Sequence, residues 1–223
     1  GTQVAGVIAV FGEEGYYKDK IAAALPRAVF GDAAPEDREI TVFERDTDIK
    51  EVSAAVNTYP FFSGRSLVII KDEKLWGGKD GGEKRKQQQE ELAELLADVP
   101  EHCQVLLLGE KIDKRGKLYK SLLKTAAMVE CKSLKSYQLK PWLDEQAALR
   151  GCRFDYEASQ TIMEYLSVTD NAPLLLLEQE IEKLSVYAGE RKIWTKDDIE
   201  QTFAALPEVS RFALLNAIAE KKL

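Results

Sequence analysis

The stretch from Val7 to Leu25, VIAVFGEEGYYKDKIAAAL, decides the fold. Val7–Phe11 is a continuous apolar run of strand length, Gly12-Glu13-Glu14-Gly15 is a tight turn, and from Tyr16 the apolar residues Tyr17, Ile21 and Leu25 recur at helical spacing. Strand, glycine turn and helix in this order outline a nucleotide-binding fold. A working phosphate loop, however, needs glycine amides around the phosphates, a lysine for the β- and γ-phosphates and a Ser or Thr hydroxyl for magnesium. Gly12 to Lys20 contains no Gly-Lys-Ser/Thr, and Glu13 and Glu14 would repel the anion. The turn formed by Gly12, Glu13, Glu14 and Gly15 therefore reads as a degenerate nucleotide loop, an ATPase scaffold put to another use.

Working outward, apolar runs at Ile40–Phe43, Leu67–Ile70, Val105–Leu108 and Met128–Cys131 join Val7–Phe11 as strand candidates. Helical patterns fall between them at Tyr16–Val29, Asp48–Thr58, Glu83–Leu96 and Arg115–Leu123. Alternation of this kind predicts an α/β domain with a five-stranded, mostly parallel sheet and helices on both faces. Pro26 is expected to kink or stop the first helix. Beyond Ser133 the spacing is helical throughout and predicts a small all-helical domain. Its helices begin at Leu139, Tyr156, Leu174 and after Thr195-Lys196-Asp197-Asp198, a start resembling a capping box. Residues 1–132, 133–207 and 208–223 are thus expected to be an α/β domain, a helical domain and the start of a third. Ser210 would cap a helix whose face of Phe212, Leu215, Ile218 and Ala219 has nothing left to cover it, so a chain cut from a longer protein is expected. The opening Gly1-Thr2-Gln3, without an initiator Met, reads as a trimmed end.

With 45% apolar and 31% charged residues the composition is that of an ordinary globular protein, and a net charge of −7 argues against a surface that grips nucleic acid all over. No apolar run approaches the ~20 residues of a spanning helix, and the N-terminus lacks a signal core, which reads as cytoplasmic with no membrane partner. Cys103, Cys131 and Cys152 are widely spaced and suggest small buried residues, neither disulfides nor zinc ligands. His102 is the sole histidine, which removes histidine triads and multi-histidine metal sites. No catalytic residue, metal site or cofactor is expected.

Three further stretches draw attention. Asp72-Glu73 after the Leu67–Ile70 strand is weakly similar to the acidic pair that holds magnesium in ATPases, but Lys71 intervenes. Lys111, Lys114, Arg115, Lys117 and Lys120 crowd one segment, suited to a solvated face or to contact with DNA or a partner subunit. Tyr59-Pro60-Phe61-Phe62 places three aromatics where polar turn residues are usual. These rings either pack in the core or stand out as anchors of a protein contact.

Taken together, these residues resemble the delta subunit of the bacterial DNA polymerase III clamp loader. The resemblance rests on Phe11-Gly12-Glu13-Glu14-Gly15-Tyr16-Tyr17-Lys18-Asp19, on Tyr59 to Lys71, on Lys111 to Lys120, and on Leu177 to Leu184 with Tyr187-Ala188-Gly189. It implies an AAA+ fold with a helical lid and a collar domain, of which only the first helix would be present. It also implies a subunit without ATP hydrolysis that binds the sliding clamp (beta subunit) and helps open it for primed DNA, in company with gamma/tau and delta prime. By position, Tyr59, Pro60, Phe61 and Phe62 fall on that family's clamp-binding wedge, and Leu175 stands where active relatives carry a phosphate-sensing arginine. The Trp76–Gly82 loop is longer than the family implies. Two other readings remain open: a divergent AAA+ ATPase, and a DNA-binding module using Lys111–Lys120.

Overall fold

The computed structural model describes residues 6–71, 82–167, 173–203 and 206. Asp72, Glu73, the Trp76–Gly82 loop as far as residue 81, and the expected helix from Ser210 lie outside the described residues. Backbone contacts divide the chain into two compact units, Gly1–Lys132 and Ser133–Leu223.

The first unit alternates β1 (Val7–Phe11), α1 (Gly15–Phe30), β2 (Glu39–Phe43), α2 (Ile49–Asn57), β3 (Ser66–Ile70), α3 (Gly82–Ala97), β4 (Cys103–Gly109), α4 (Lys117–Thr125) and β5 (Ala126–Glu130). The five strands form one sheet in the order β2-β3-β4-β1-β5, and every pairing is parallel. The alternation of side chains along each strand feeds two cores. On one face Val7, Ala9, Val68, Ile70, Val105 and Leu107 pack with Val52 and Val56 of α2, Leu92 and Leu96 of α3, and Leu118 and Leu122 of α4. On the other, Val10, Leu67, Ile69 and Leu106 pack with Leu25, Val29 and Phe30 of α1. A sheet sandwiched in this way explains why its central strands read as continuous apolar runs.

The structure differs at two points: a stop at Pro26, one of the two outcomes expected there, and the start of the fourth helix. Pro26 neither stops α1 nor ends its packing, since the helix continues to Phe30 and closes at Gly31 with φ 59°. Leu25, Val29 and Phe30 are all buried, and burial on both sides of the proline outweighs one missing hydrogen bond. The fourth helix begins at Lys117, two residues later than the spacing suggests. Asp113 first forms a turn, accepting the Arg115 amide on its carboxylate (3.0 Å) and the Gly116 amide on its carbonyl (2.9 Å).

The second unit holds α5 (Ser136–Leu149), α6 (Tyr156–Leu166), α7 (Leu174–Ala188) and α8 (Lys196–Thr202). Trp142, Leu143, Ile162, Leu177, Ile181, Leu184 and Ile199 are buried along their inner faces. A two-residue parallel pairing of β6 (Arg153–Phe154) with β7 (Ile193–Trp194) is added to the expected helices, with the Phe154 and Trp194 rings 5.2 Å apart. The Thr195 start is a true capping box: the Asp198 carboxylate accepts the Thr195 amide (2.9 Å), and Arg191 clamps both carboxylate oxygens at 2.9 and 2.7 Å. No helix among the described residues is long and apolar enough to cross a membrane.

Candidate functional site

The Gly12–Gly15 loop sits between the end of β1 and the start of α1, where a phosphate loop would be. Two of its amides are already engaged. The Gly12 amide donates to the Gly109 carbonyl (3.2 Å), the Glu14 amide donates to the Cys131 carbonyl (3.1 Å), and the Cys131 amide donates back to Phe11 (2.6 Å). The loop is therefore stitched to the ends of β4 and β5. Gly12 adopts φ 131°, and a Cβ there would land on the Cys131 backbone. At the N-terminus of α1, where orphan amides and the helix dipole favour an anion, the Glu14 carboxylate caps the helix by accepting the Tyr16 amide at 3.0 Å. An internal carboxylate thus already takes one of the helix-start amides that an anion would otherwise use. Lys18, on the first turns of α1, points its amine at the Gly109 carbonyl (3.4 Å). Cys131 is buried, and that burial pushes its thiol up, opposed by nearby Lys18. Leu175 is exposed on the first turn of α7.

The Tyr59–Phe62 segment links α2 to β3. The Thr58 amide and hydroxyl both donate to the Ala54 carbonyl (3.0 and 2.7 Å), closing α2, and buried Pro60 prevents the helix from continuing. The amides of Phe61 and Phe62 then turn to one carboxylate oxygen of Glu39, on β2, with the Phe62 contact at 3.0 Å. The Ser63 hydroxyl donates to the Arg65 carbonyl (2.7 Å), Gly64 takes φ 65°, and the Ser66 amide donates to the His102 carbonyl (2.8 Å) as β3 begins. The Tyr59 ring rests against the His102 ring, centroids 5.1 Å apart.

This arrangement resolves the choice that the sequence left open for the two phenylalanines. Phe61 is 87% and Phe62 67% exposed, and Tyr59 is 71% exposed. The two phenyl rings meet edge to face with centroids 5.0 Å apart, so each shields part of the other while both remain presented outward. Glu39 went unnoticed in the sequence. It lies 22 positions before Phe61, and no local pattern ties a strand-opening glutamate to that turn.

The basic segment is partly neutralised. Lys114 pairs with Glu130 (3.0 Å), Lys117 with Glu90 (2.7 Å) and Arg115 with Asp113 (3.6 Å). The Lys114 amine also lies over the Phe11 ring at 5.8 Å. Its hydrogen bond to Glu130 raises the lysine and holds the glutamate below the usual carboxylate range. Lys111 and Lys120 are exposed and form no ion pair among the described residues. The structure brings the segment together at the C-terminal ends of β4 and β5, where its Tyr119 ring meets the buried Phe11 ring edge to face at 6.5 Å.

Comparison with known proteins agrees with the resemblance. A family model described as DNA polymerase III, delta subunit, matches residues 11–132, which include the Gly12–Gly15 loop, the Tyr59–Phe62 turn and the basic segment. The DNA polymerase III subunit delta of Bacillus subtilis (strain 168) is 29% identical over 223 residues, 99% of this chain and 63% of that protein. The solved B. subtilis DNA clamp loader delta protein (YqeN) superposes with a TM-score of 0.68 at 26% identity, covering 89% of this chain and 58% of that one. A chain of the E. coli MS115-1 HORMA:CdnC:Trip13 complex shares the fold alone, with a TM-score of 0.55 at 14% identity over 90% of this chain and 74% of that one. The chain thus spans less than two thirds of the length of its delta relatives. With more than half of its residues matched by the family model, the chain belongs to the DNA polymerase III delta subunit family.

Proposed function

We propose that this chain is the clamp-engaging part of a clamp-loader delta subunit, and that Tyr59, Pro60, Phe61 and Phe62 form the wedge that holds the sliding clamp. The observation that carries the reading is a pair of exposed phenyl rings on a turn whose backbone is tied to the sheet. Large apolar groups exposed together on a fixed loop favour a protein partner with an apolar cleft. Ring opening then follows from differential affinity. If the wedge binds the open clamp more tightly than the closed one, the equilibrium shifts by no more than that difference. The chain contributes no catalysis of its own. Nucleotide turnover belongs to companion subunits of the gamma/tau and delta prime kind, and primed DNA is met through the loader, in the cytoplasm.

The rival readings draw less support. Nucleotide binding at Gly12–Gly15 would have to displace Glu14 and two amide bonds. Direct DNA binding would rest chiefly on Lys111 and Lys120. Calorimetry of the chain against the sliding clamp of its own organism tests the proposal. Phe61 exposes roughly 130 Å² if a phenyl side chain buries about 150 Å² when fully covered, which at about 25 cal/mol/Å² amounts to about 3 kcal/mol. Phe61→Ala is therefore expected to weaken binding roughly 100- to 200-fold, and Phe61→Ala with Phe62→Ala to abolish it, with unchanged melting temperatures. Absence of binding by a well-folded wild type, or retention by the double variant, would overturn the proposal.

A further inference from the structure

Glu39 opens β2, which is an edge strand of the sheet, and its side chain is free to serve the neighbouring turn. One of its carboxylate oxygens receives the backbone amides of both Phe61 and Phe62. Hydrogen bonds to an ionised acceptor are roughly twice as strong as neutral ones, and two adjacent donors on one oxygen fix a peptide plane as well as a distance. The ends of the segment are held at His102, by the Tyr59 ring on one side and the Ser66 amide on the other, and the remaining ties between them are local, the Ser63 hydroxyl to Arg65 and the positive φ of Gly64. The rings themselves give little anchorage, because both are mostly exposed and lean chiefly on each other. Their direction is thus set by the backbone, and the backbone is tied to the sheet by Glu39.

Building on the reading of this turn as the clamp-binding wedge, we propose that Glu39 is its positioning residue. It touches no partner itself; it holds the Phe61–Phe62 backbone in the binding geometry beforehand, so that less conformational entropy is lost when an apolar cleft closes over the rings. A carboxylate is suited to the task because it accepts both amides at once without donating a proton that would compete.

Two readouts separate this role from the identity of the partner. Amide hydrogen exchange needs no clamp: Glu39→Ala is expected to speed exchange at Phe61 and Phe62 at least tenfold while the rest of β2 and β3 is unchanged, and Glu39→Gln, which keeps an acceptor oxygen, to preserve most of the protection. Clamp titration supplies the second. Glu39→Ala should weaken binding about tenfold, the scale of ordering two interface side chains, Glu39→Gln should restore it to within about threefold, and Glu39→Ala added to Phe61→Ala should cost only about threefold more, because the Phe62 ring alone is left to be ordered. Unchanged exchange at the two amides would overturn the inference, as would a tenfold loss that persists without the ring, which would make Glu39 a direct contact. Normal exchange behaviour with no clamp binding by the wild type would instead overturn the clamp reading, and the role of Glu39 in binding with it.

Discussion

Gly12→Ala is expected to unfold the first unit at a markedly lower temperature, although Gly12 stands in a loop whose phosphate chemistry is missing. The added Cβ would meet the Cys131 backbone on three sides, falling onto the carbonyl oxygen and lying 2.6 Å from the carbonyl carbon and 2.8 Å from the nitrogen. A comfortable carbon contact needs about 3.5 Å. Moving Cys131 away would sever the Cys131-to-Phe11 and Glu14-to-Cys131 amide bonds, each contributing about 1 kcal/mol. The φ of 131° adds strain of about 1–3 kcal/mol for a residue with a side chain. The sum is about 3–5 kcal/mol, or a fall of about 10–20 °C in melting temperature for a unit of this size. Gly15→Ala is the control: it opens α1, an added Cβ meets nothing within 4 Å, and helix propensity favours alanine. Urea titration followed by circular dichroism compares the three proteins. If Gly12→Ala lies within about 1 kcal/mol of wild type, the loop is not held by Cys131 as described and the reasoning fails.

Three further outcomes are expected. Burial pushes the Asp198 carboxyl up, but hydrogen bonds from Arg191 and Thr195 outweigh it and hold the group below the usual carboxylate range. Its stabilisation is therefore complete above the ordinary Asp pKa of about 4 and is lost as pH falls through the lower folded value. Asp198→Asn should cost about 1–2 kcal/mol at pH 7, discounted for the half-exposed Arg191, and the gap in urea midpoint between the two proteins should shrink toward pH 2. ATP with magnesium, titrated to about 100 times a typical micromolar affinity, should give neither heat nor a rise in melting temperature, whereas a rise matching about 2.7 kcal/mol would revive the nucleotide reading. Lys114→Ala with Arg115→Ala should change DNA affinity less than threefold at 50 mM salt, because both cations are already paired. A loss of tenfold or more, with a shallower salt slope, would favour the DNA reading instead.

Much of the fold is legible along the chain because each element carries its own local signal. Val7–Phe11 and Leu174–Ala188 end where their apolar spacing ends, and Thr195 caps a helix as the capping-box start suggests. Where the reading slipped, either tertiary packing or a competing local turn decided. Pro26 is carried inside α1 by burial of residues on both sides of it, and Gly116 delays α4 through a turn centred on Asp113. Arg153–Phe154 and Ile193–Trp194 are too short to show a strand period, and they pair only because the helices around them bring them together.

The α/β order, the missing phosphate-loop lysine and hydroxyl, and the presence of an unusual aromatic turn are all legible along the chain, since each depends on residue type and near neighbours. Folding adds that Phe61 and Phe62 face outward, that a glutamate 22 positions before Phe61 holds their amides, and that the Gly12 and Glu14 amides bond to Gly109 and Cys131. Exposure and hydrogen-bond pairing are properties of residues distant in sequence, and they exist only once the parallel sheet has set β1 beside β4 and β5 and β2 beside β3.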